Sequence, residues 1–354
     1  MVNAGLVDCC RPMVTLKEIA AAVGVSTSTV SRVLNFDSTL SVTAPVRRAI
    51  IETAEALSYA TPRARNRAAQ HGLNRLALVH FLAPDQELVD PYYVGLRLGI
   101  ERRCATLKIE TVKLYHAETM PDQAVLQAAD GVIAVGWHNP AEVDWLRHHS
   151  RAMVFADFSP AGDGFDTVES DLVLGTQKLL CGLRERGYRR IGFVGWIDRA
   201  DRGPDAAAEK RCLAYVDWMQ TTSAYDPSIC LTGTNTEESG YDLTQRILAA
   251  ANRPDALITA NDNMAVGAYR AIADHHLRIP DDIAIASFND ISVAQFLSPP
   301  LSTVRLPAEE IGECAVDLLL ERIAGREIDK RVTLGSTLIW RDSTAGLAGR
   351  DAVW

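Results

Sequence analysis

Long hydrophobic runs are missing from this 354-residue chain: no apolar stretch approaches the roughly 20 residues that a membrane-spanning helix needs. No cleavable signal sequence stands at its front, so a cytoplasmic protein with no membrane partner is the expectation. Cysteine is sparse and unpatterned. The seven thiols are Cys9, Cys10, Cys104, Cys181, Cys212, Cys230 and Cys314. Their odd count, scattered spacing and lack of a Cys-x-x-Cys pair argue against a disulfide framework or a cysteine zinc site, and free thiols in a reducing compartment are expected. Catalytic motifs are equally scarce. There is no Gly-x-Gly-x-x-Gly, no phosphate-binding Gly-Lys-Ser/Thr loop, no Gly-x-Ser-x-Gly elbow and no His-Glu-x-x-His. The adjacent pairs His148-His149 and His275-His276 would diverge on a helix and not chelate one metal together. No enzyme activity, cofactor or metal is therefore expected.

What is present is concentrated near the front. Thr15 is a good N-cap, because its hydroxyl can accept from backbone N–H groups two or three residues on. Ile19, Ala20 and Val23 follow at helical spacing, and Gly24 can end that helix in a left-handed conformation. Ser26 can cap a second helix with Val30, Val33 and Leu34 on one face and Thr27, Ser28, Ser31 and Arg32 on the other. A helix-turn-helix needs this division: an apolar side against partner helices, and short polar side chains toward the major groove. Arg32 suits a bidentate guanine contact. A third helix, with Thr43 as cap and Pro45 in its first turn, carries an apolar stripe of Val46, Ala49, Ile50, Thr53, Ala54 and Leu57. Arg47 and Arg48 lie off that stripe, where phosphates would be.

Capped helices with polar outer faces occur in any small helical domain, so charge is the deciding feature. Residues 14–70 carry seven basic and four acidic side chains, a net +3. The whole chain is −9 and residues 1–13 cancel, which leaves −12 for residues 71–354. A basic head on an acidic body separates a phosphate-binding part from one that should avoid nucleic acid.

From Arg75 onward, short apolar runs alternate with helical stretches. Leu76–Val79, 109–114, 130–136, Met153–Ala156, 190–194, Ala256–Thr259 and 283–286 read as strands. Residues 91–107, 172–186, 209–219, 264–275 and 307–324 read as helices. Such alternation predicts parallel sheets covered by helices, with too many strands for one compact lobe. Ligands in such folds sit at the carboxyl ends of strands. Asp157, Asn261, Asp262, Asn289 and Asp290 occur there, and Asp171 and Arg211 stand at or near helix starts. Each alone reads first as a turn or cap residue. Together they offer carboxylate, amide and guanidinium groups that suit the hydroxyls of a sugar.

At this point the chain resembles the lac repressor/galactose repressor family of bacterial regulators, over about residues 15–344. The stretches that carry the resemblance are Thr-Leu-Lys-Glu-Ile-Ala (15–20), Gly-Val-Ser (24–26), Thr-Val-Ser-Arg-Val-Leu-Asn (29–35) and Leu-Ser-Tyr (57–59). In the body they are Gly-Tyr-Arg-Arg-Ile-Gly-Phe-Val-Gly (187–195), Ala-Asn-Asp-Asn-Met-Ala-Val-Gly-Ala (260–268) and Pro-Pro-Leu-Ser-Thr-Val-Arg (299–305). Asp-Pro-Tyr-Tyr (90–93), Thr-Leu-Ser-Val (39–42), Gly-Phe-Asp-Thr-Val (164–168) and Asn-Asp-Ile (289–291) resemble, within the family, the evolved-β-galactosidase repressor type.

The resemblance implies an all-α helix-turn-helix headpiece (14–60), a hinge (61–74) and a two-lobed α/β, periplasmic-binding-protein-like sensor that also dimerises (75–344), between tails at 1–13 and 345–354. Carried over by position, Thr27, Ser28 and Arg32 would read bases of an operator duplex, and Thr15, Ser26, Thr29, Ser31, Asn35 and Thr43 would hold phosphates. Asp171, Arg211, Asn261 and Asn289 would bind a small effector, a sugar with galactosides as candidates, with Tyr92 or Tyr93 near the pocket mouth. Asn289 stands where many members have Asp. The hinge leucine that many members wedge into the minor groove is replaced by Asn66-Arg67-Ala68-Ala69. The tail after Thr344 lacks leucine heptads, so a dimer is expected and not a coiled-coil tetramer. The implied function is repression relieved by the effector. The alternatives left open are a sugar- or purine-responsive corepressor and a sugar-binding protein without regulation.

Overall fold

Thr15 starts the first helix as its sequence predicts. Its hydroxyl accepts from Glu18 N, and Glu18 Oε2 accepts in return from Thr15 N at 2.6 Å, a reciprocal cap on α1 (Leu16–Val23). Gly24 ends α1 at φ +73°, a conformation that costs glycine little. Ser26 Oγ then accepts from Thr29 N at 3.1 Å and starts α2 (Thr27–Leu34). With α3 (Ala44–Ala56) these helices enclose a core of Ile19, Ala20, Val30, Val33, Ile50 and Ala54. The stripe on α3 holds as far as Ala54, and Leu57 is exposed. This computed structural model describes residues 15–34, 40, 42–57, 72–116, 120–196 and 209–345. The expectations for Asn35, Tyr59, residues 61–71 with the substituted hinge, and both tails fall outside the described residues.

The body forms two six-stranded sheets. In the first the order is β11-β5-β4-β3-β1-β2, from β1 (Arg75–His80), β2 (Glu110–Tyr115), β3 (Gly131–Val135), β4 (Met153–Ala156), β5 (Asp166–Ser170) and β11 (Arg331–Leu334). The second has the order β12-β10-β9-β8-β6-β7, from β6 (Ile191–Trp196), β7 (Cys230–Gly233), β8 (Ala256–Thr259), β9 (Ala284–Asn289), β10 (Ser302–Arg305) and β12 (Thr337–Ile339). Every pairing is parallel except that of β10 with β12. Central strands such as β1, β3 and β8 are buried almost end to end, because helices cover both faces. Each fully buried aliphatic or phenylalanine side chain there contributes about 1.5–3 kcal/mol.

The first lobe is covered by α4 (Pro84–Leu88), α5 (Pro91–Leu107), α6 (Gln123–Gln127), α7 (Pro140–His149) and α12 (Ala308–Ile323). The second is covered by α8 (Leu172–Glu185), α9 (Lys210–Thr221), α10 (Glu237–Leu248) and α11 (Asp262–Asp274). The chain crosses between lobes three times, from β5 into α8, from β10 into α12 and from β11 into β12. Three separate strands of backbone at one edge are the geometry of a hinge between rigid lobes.

Among the described residues Cys104, Cys181, Cys212, Cys230 and Cys314 are free thiols, as expected. No helix of the described residues is long and apolar enough to cross a membrane. The sequence reading missed β5, β7, β10, β11, β12, α4, α6, α7 and α10. Those strands are only 3–5 residues long, and three of them (β7, β11 and β12) are partly exposed sheet edges with no continuous apolar run.

Candidate functional site

On the headpiece, Thr27, Ser28 and Arg32 share the outer face of α2 and are exposed, with Thr15, Ser26 and Thr43 exposed beside them. Thr29 and Ser31 are half-buried, and Thr29 Oγ1 lies 2.8 Å from Ser26 Oγ, so this pair shares one hydrogen bond at the helix start. The hydroxyls of Thr27 and Ser28 and the guanidinium of Arg32 give that exposed helix face hydrogen-bonding groups. Arg48 is exposed, as the sequence reading has it. Arg47 differs: it is half-buried and its Nη2 donates to Leu40 O at 3.5 Å, so it braces the segment before α3.

Between the lobes the polar residues at strand ends converge. Tyr92 and Tyr93 start α5 in the first lobe, where Asp90 caps the helix by accepting from Tyr92 N at 3.1 Å. Both phenols donate to one carboxylate: Tyr92 Oη to Asp157 Oδ1 at 2.7 Å and Tyr93 Oη to Asp157 Oδ2 at 3.0 Å. Asp157 follows β4 at φ +60°, a left-handed position that Asp tolerates better than most residues. Burial pushes its carboxyl up to about 6, against the opposing pull of the two phenols and Arg211.

Arg211 answers from the second lobe. It is the second residue of α9, only 7% exposed, and donates to Glu209 Oε1 at 2.7 Å and to Ala260 O at 2.6 Å. Its guanidinium lies 4.5 Å from the ring centroid of Trp196 and 5.5 Å from that of Phe288. Burial opposes its charge, but Glu209 and Asp157 outweigh burial and raise its pKa. Lys210 bridges to Glu169 of β5 at 2.6 Å, and Asn263 Nδ2 donates to Val89 O at 3.4 Å, so the lobes also touch beside this cluster.

The remaining predicted residues stand at helix starts and a strand end of the second lobe. Asp171 caps α8 by accepting from Leu174 N at 2.9 Å. Asn261 caps α11 through Met264 N at 2.8 Å, with its amide nitrogen 3.4 Å from Asn235 O. Asn289 ends β9 at φ +107°, and a loop follows it. That loop is held by Asp262, whose carboxylate accepts from Ile291 N and Thr303 Oγ1, both at 2.9 Å. Asp290 is locked by Arg305 and Arg341, each at 2.7 Å.

Tyr92 is 7% exposed and packs within the second-lobe core, and Tyr93 packs against the cores of both lobes. Asp157, one of the strand-end groups that the sequence offers for sugar hydroxyls, is the carboxylate on which both tyrosines converge. Trp196 and Glu209 were missed, because an aromatic at the end of an apolar run reads as core.

A helix-turn-helix reader attached to a two-lobed α/β sensor with a polar, aromatic-lined cleft defines a DNA-binding transcriptional regulator and not an enzyme. Residues 15–62 match the family described as bacterial regulatory proteins, lacI family, and residues 182–344 match the periplasmic binding protein-like domain. Over 336 residues the chain is 34% identical to the HTH-type transcriptional regulator GalR of Streptococcus thermophilus, covering 94% of this chain and 100% of that protein. Over 106 residues it is 59% identical to the lactose operon repressor of Rhizobium radiobacter, covering 30% of this chain and 94% of that protein. Among solved structures, the transcriptional regulator CelR in complex with cellobiose superposes with a TM-score of 0.67 at 26% identity, covering 94% of this chain and 100% of that one. The chain belongs to the lacI family of bacterial regulatory proteins.

Proposed function

We propose that this protein is a cytoplasmic, homodimeric repressor whose operator affinity is lowered by a galactoside bound between its lobes. The observation that carries the effector half is that Asp157 of the first lobe and Arg211 of the second are both buried and close enough to interact electrostatically. The carboxylate is set by two phenols, and the guanidinium by Glu209 and two aromatic rings. A carboxylate and a guanidinium recognise neighbouring hydroxyls as acceptor and donor, and an aromatic wall receives a sugar's apolar face. Asp171, Arg211, Asn261 and Asn289 are the proposed contacts, with Tyr92 and Tyr93 acting by positioning Asp157. The names of the GalR and lactose operon repressor relatives favour galactosides over other sugars.

In the DNA half, Thr27, Ser28 and Arg32 read base edges, and Thr15, Ser26, Thr29, Ser31, Asn35 and Thr43 fix the phosphates. Two headpieces in a twofold dimer address a pseudo-palindromic operator. A ligand that bridges both lobes favours one lobe arrangement, and it releases DNA to the extent that its affinity differs between the two arrangements. Operator binding at fixed salt, titrated with galactosides, glucosides and purines, tests this reading. Release by a galactoside is expected. Tighter binding with a sugar or purine would replace induction by corepression, and indifference to every compound would remove the cleft's regulatory role.

A further inference from the structure

A second constellation lies in the first lobe, apart from the Asp157–Arg211 cluster. His116 follows β2, His138 lies between β3 and α7, and Glu142 is in the first turn of α7. One ligand atom from each lies within 4.8 Å of the others. His138 Nδ1 is 3.7 Å from Glu142 Oε2, and His116 Nδ1 is 3.9 Å from Glu142 Oε1. Donor atoms around a tetrahedral cation with bonds of about 2.0–2.2 Å stand about 3.3–3.6 Å apart, so the widest of these separations closes by about an ångström when the cation binds.

The decisive observation is His138. It is 2% exposed, enclosed by Phe155 and Phe158, and neither ring nitrogen has a hydrogen-bond partner. His80, close enough to interact electrostatically with His138, has a buried Nε2 without a hydrogen-bond partner as well. Leaving buried polar nitrogens without hydrogen bonds is costly, and neighbouring imidazoles are not an economical apolar core. Glu142 has a local role of its own: its oxygens accept from Asn139 N at 2.8 Å and Asn139 Nδ2 at 2.5 Å and start α7. That role explains the glutamate and neither histidine. A carboxylate offers about four lone-pair directions, so capping and coordination coexist.

We infer that His116, His138 and Glu142 bind one divalent transition cation of the Zn²⁺ class. Two imidazoles and a carboxylate form a borderline N₂O donor set, suited to Zn²⁺ and its neighbours and not to Ca²⁺ or Mg²⁺. Three protein ligands leave a position for water. The cation would tie the end of β2 to the start of α7 on the wall beside His80, whose ring packs edge-on to Tyr93 at 5.5 Å. This departs from the metal-free expectation of the sequence, where ligands from a strand end, a loop and a helix form no spacing motif.

The test uses the full-length protein stripped with a chelator and titrated with Zn²⁺ against a chromophoric competitor, and with Co²⁺ for its visible ligand-field bands. One equivalent of Zn²⁺ and tetrahedral-type Co²⁺ bands are expected. His138→Gln, His116→Gln and Glu142→Gln should each lose at least about 10–100-fold in affinity, the range that even outer-shell changes produce. His148→Gln and His149→Gln should leave binding unchanged. Absence of the Co²⁺ bands in the wild type, or Zn²⁺ affinity that survives His138→Gln and Glu142→Gln, overturns the inference. Since the wild-type spectrum decides without any variant, misfolding of one variant does not spare it. The sugar and operator titrations stand or fall separately.

Discussion

Tyr92 of the first lobe donates its phenol proton to Asp157 at 2.7 Å, and the same carboxylate interacts electrostatically with Arg211 of the second. Asp157 is therefore one place where acid should reach the candidate effector site. Burial raises its carboxyl to about 6 in the absence of ligand. Sugar hydroxyls donate to the ionised form, so bound ligand stabilises that form and lowers the pKa. Affinity should then rise with pH through about 6 and level off above it. Calorimetric titration with the effector from pH 5 to 8 checks this. Asp157→Asn should bind more weakly and lose the pH dependence in that window; an unchanged profile in that variant would place the titrating group elsewhere.

The candidate effector residues were partly legible in the chain. Asp171, Arg211, Asn261 and Asn289 were identified because each stands where a strand ends or a helix starts, and the structure confirms those positions. What could not be read was pairing across the lobes. Asp157 and Tyr92 are 65 residues apart, and no local period links them. The headpiece was legible nearly residue by residue, since caps and i, i+3, i+4 spacing act within a few residues. Burial by long-range ion pairing was invisible: Asp166 starts a strand of polar composition that nonetheless lies inside the first sheet.

Helices α10 and α11 touch through glycine. A Cβ on Gly267 would collide with the backbone of Glu237 and Tyr241, and one on Gly240 with that of Met264. Gly267→Ala should force the helices apart and cost about 1–3 kcal/mol, the usual cost of overpacking. Because α11 begins at the Asn261 cap, the same change should weaken sugar binding. Urea unfolding and effector titration of this variant check both effects. Loss of neither would mean that the interface yields without strain.

Arg32 and Arg48 should separate base reading from phosphate holding. Arg32 lies on the exposed face of α2, and Arg48 is exposed on α3. Arg32→Ala should cost about 1–3 kcal/mol on the operator and little on scrambled DNA. Arg48→Ala should weaken both duplexes alike and reduce the magnitude of the salt slope by about 1. Fluorescence anisotropy over a salt series measures both, and preserved discrimination by Arg32→Ala would refute its base-reading role.

Asp166 should govern acid unfolding of the first lobe. Its side chain is fully buried and accepts from Arg322 Nε at 2.7 Å, Arg326 Nη1 at 2.8 Å and Lys330 N at 2.7 Å. These contacts tie the end of α12 and the chain returning into β11 to β5. Burial alone would raise the Asp166 carboxyl, but the two guanidinium groups and the backbone N–H outweigh it and hold it below its ordinary value. An acid whose folded pKa is depressed adds stability above its unfolded pKa, near 3.8, and that stability is lost as pH falls through the lower folded value. Asp166→Asn keeps the shape but leaves Arg322 to Asp329 and Arg326 to Glu321 alone, for which a loss of about 1.5–3 kcal/mol at neutral pH is expected. Urea unfolding of wild type and variant from pH 7 to pH 2 should show the gap between them narrowing below about pH 4. A gap that stays constant with pH would show that packing, and not the charge on Asp166, holds β11 in the sheet.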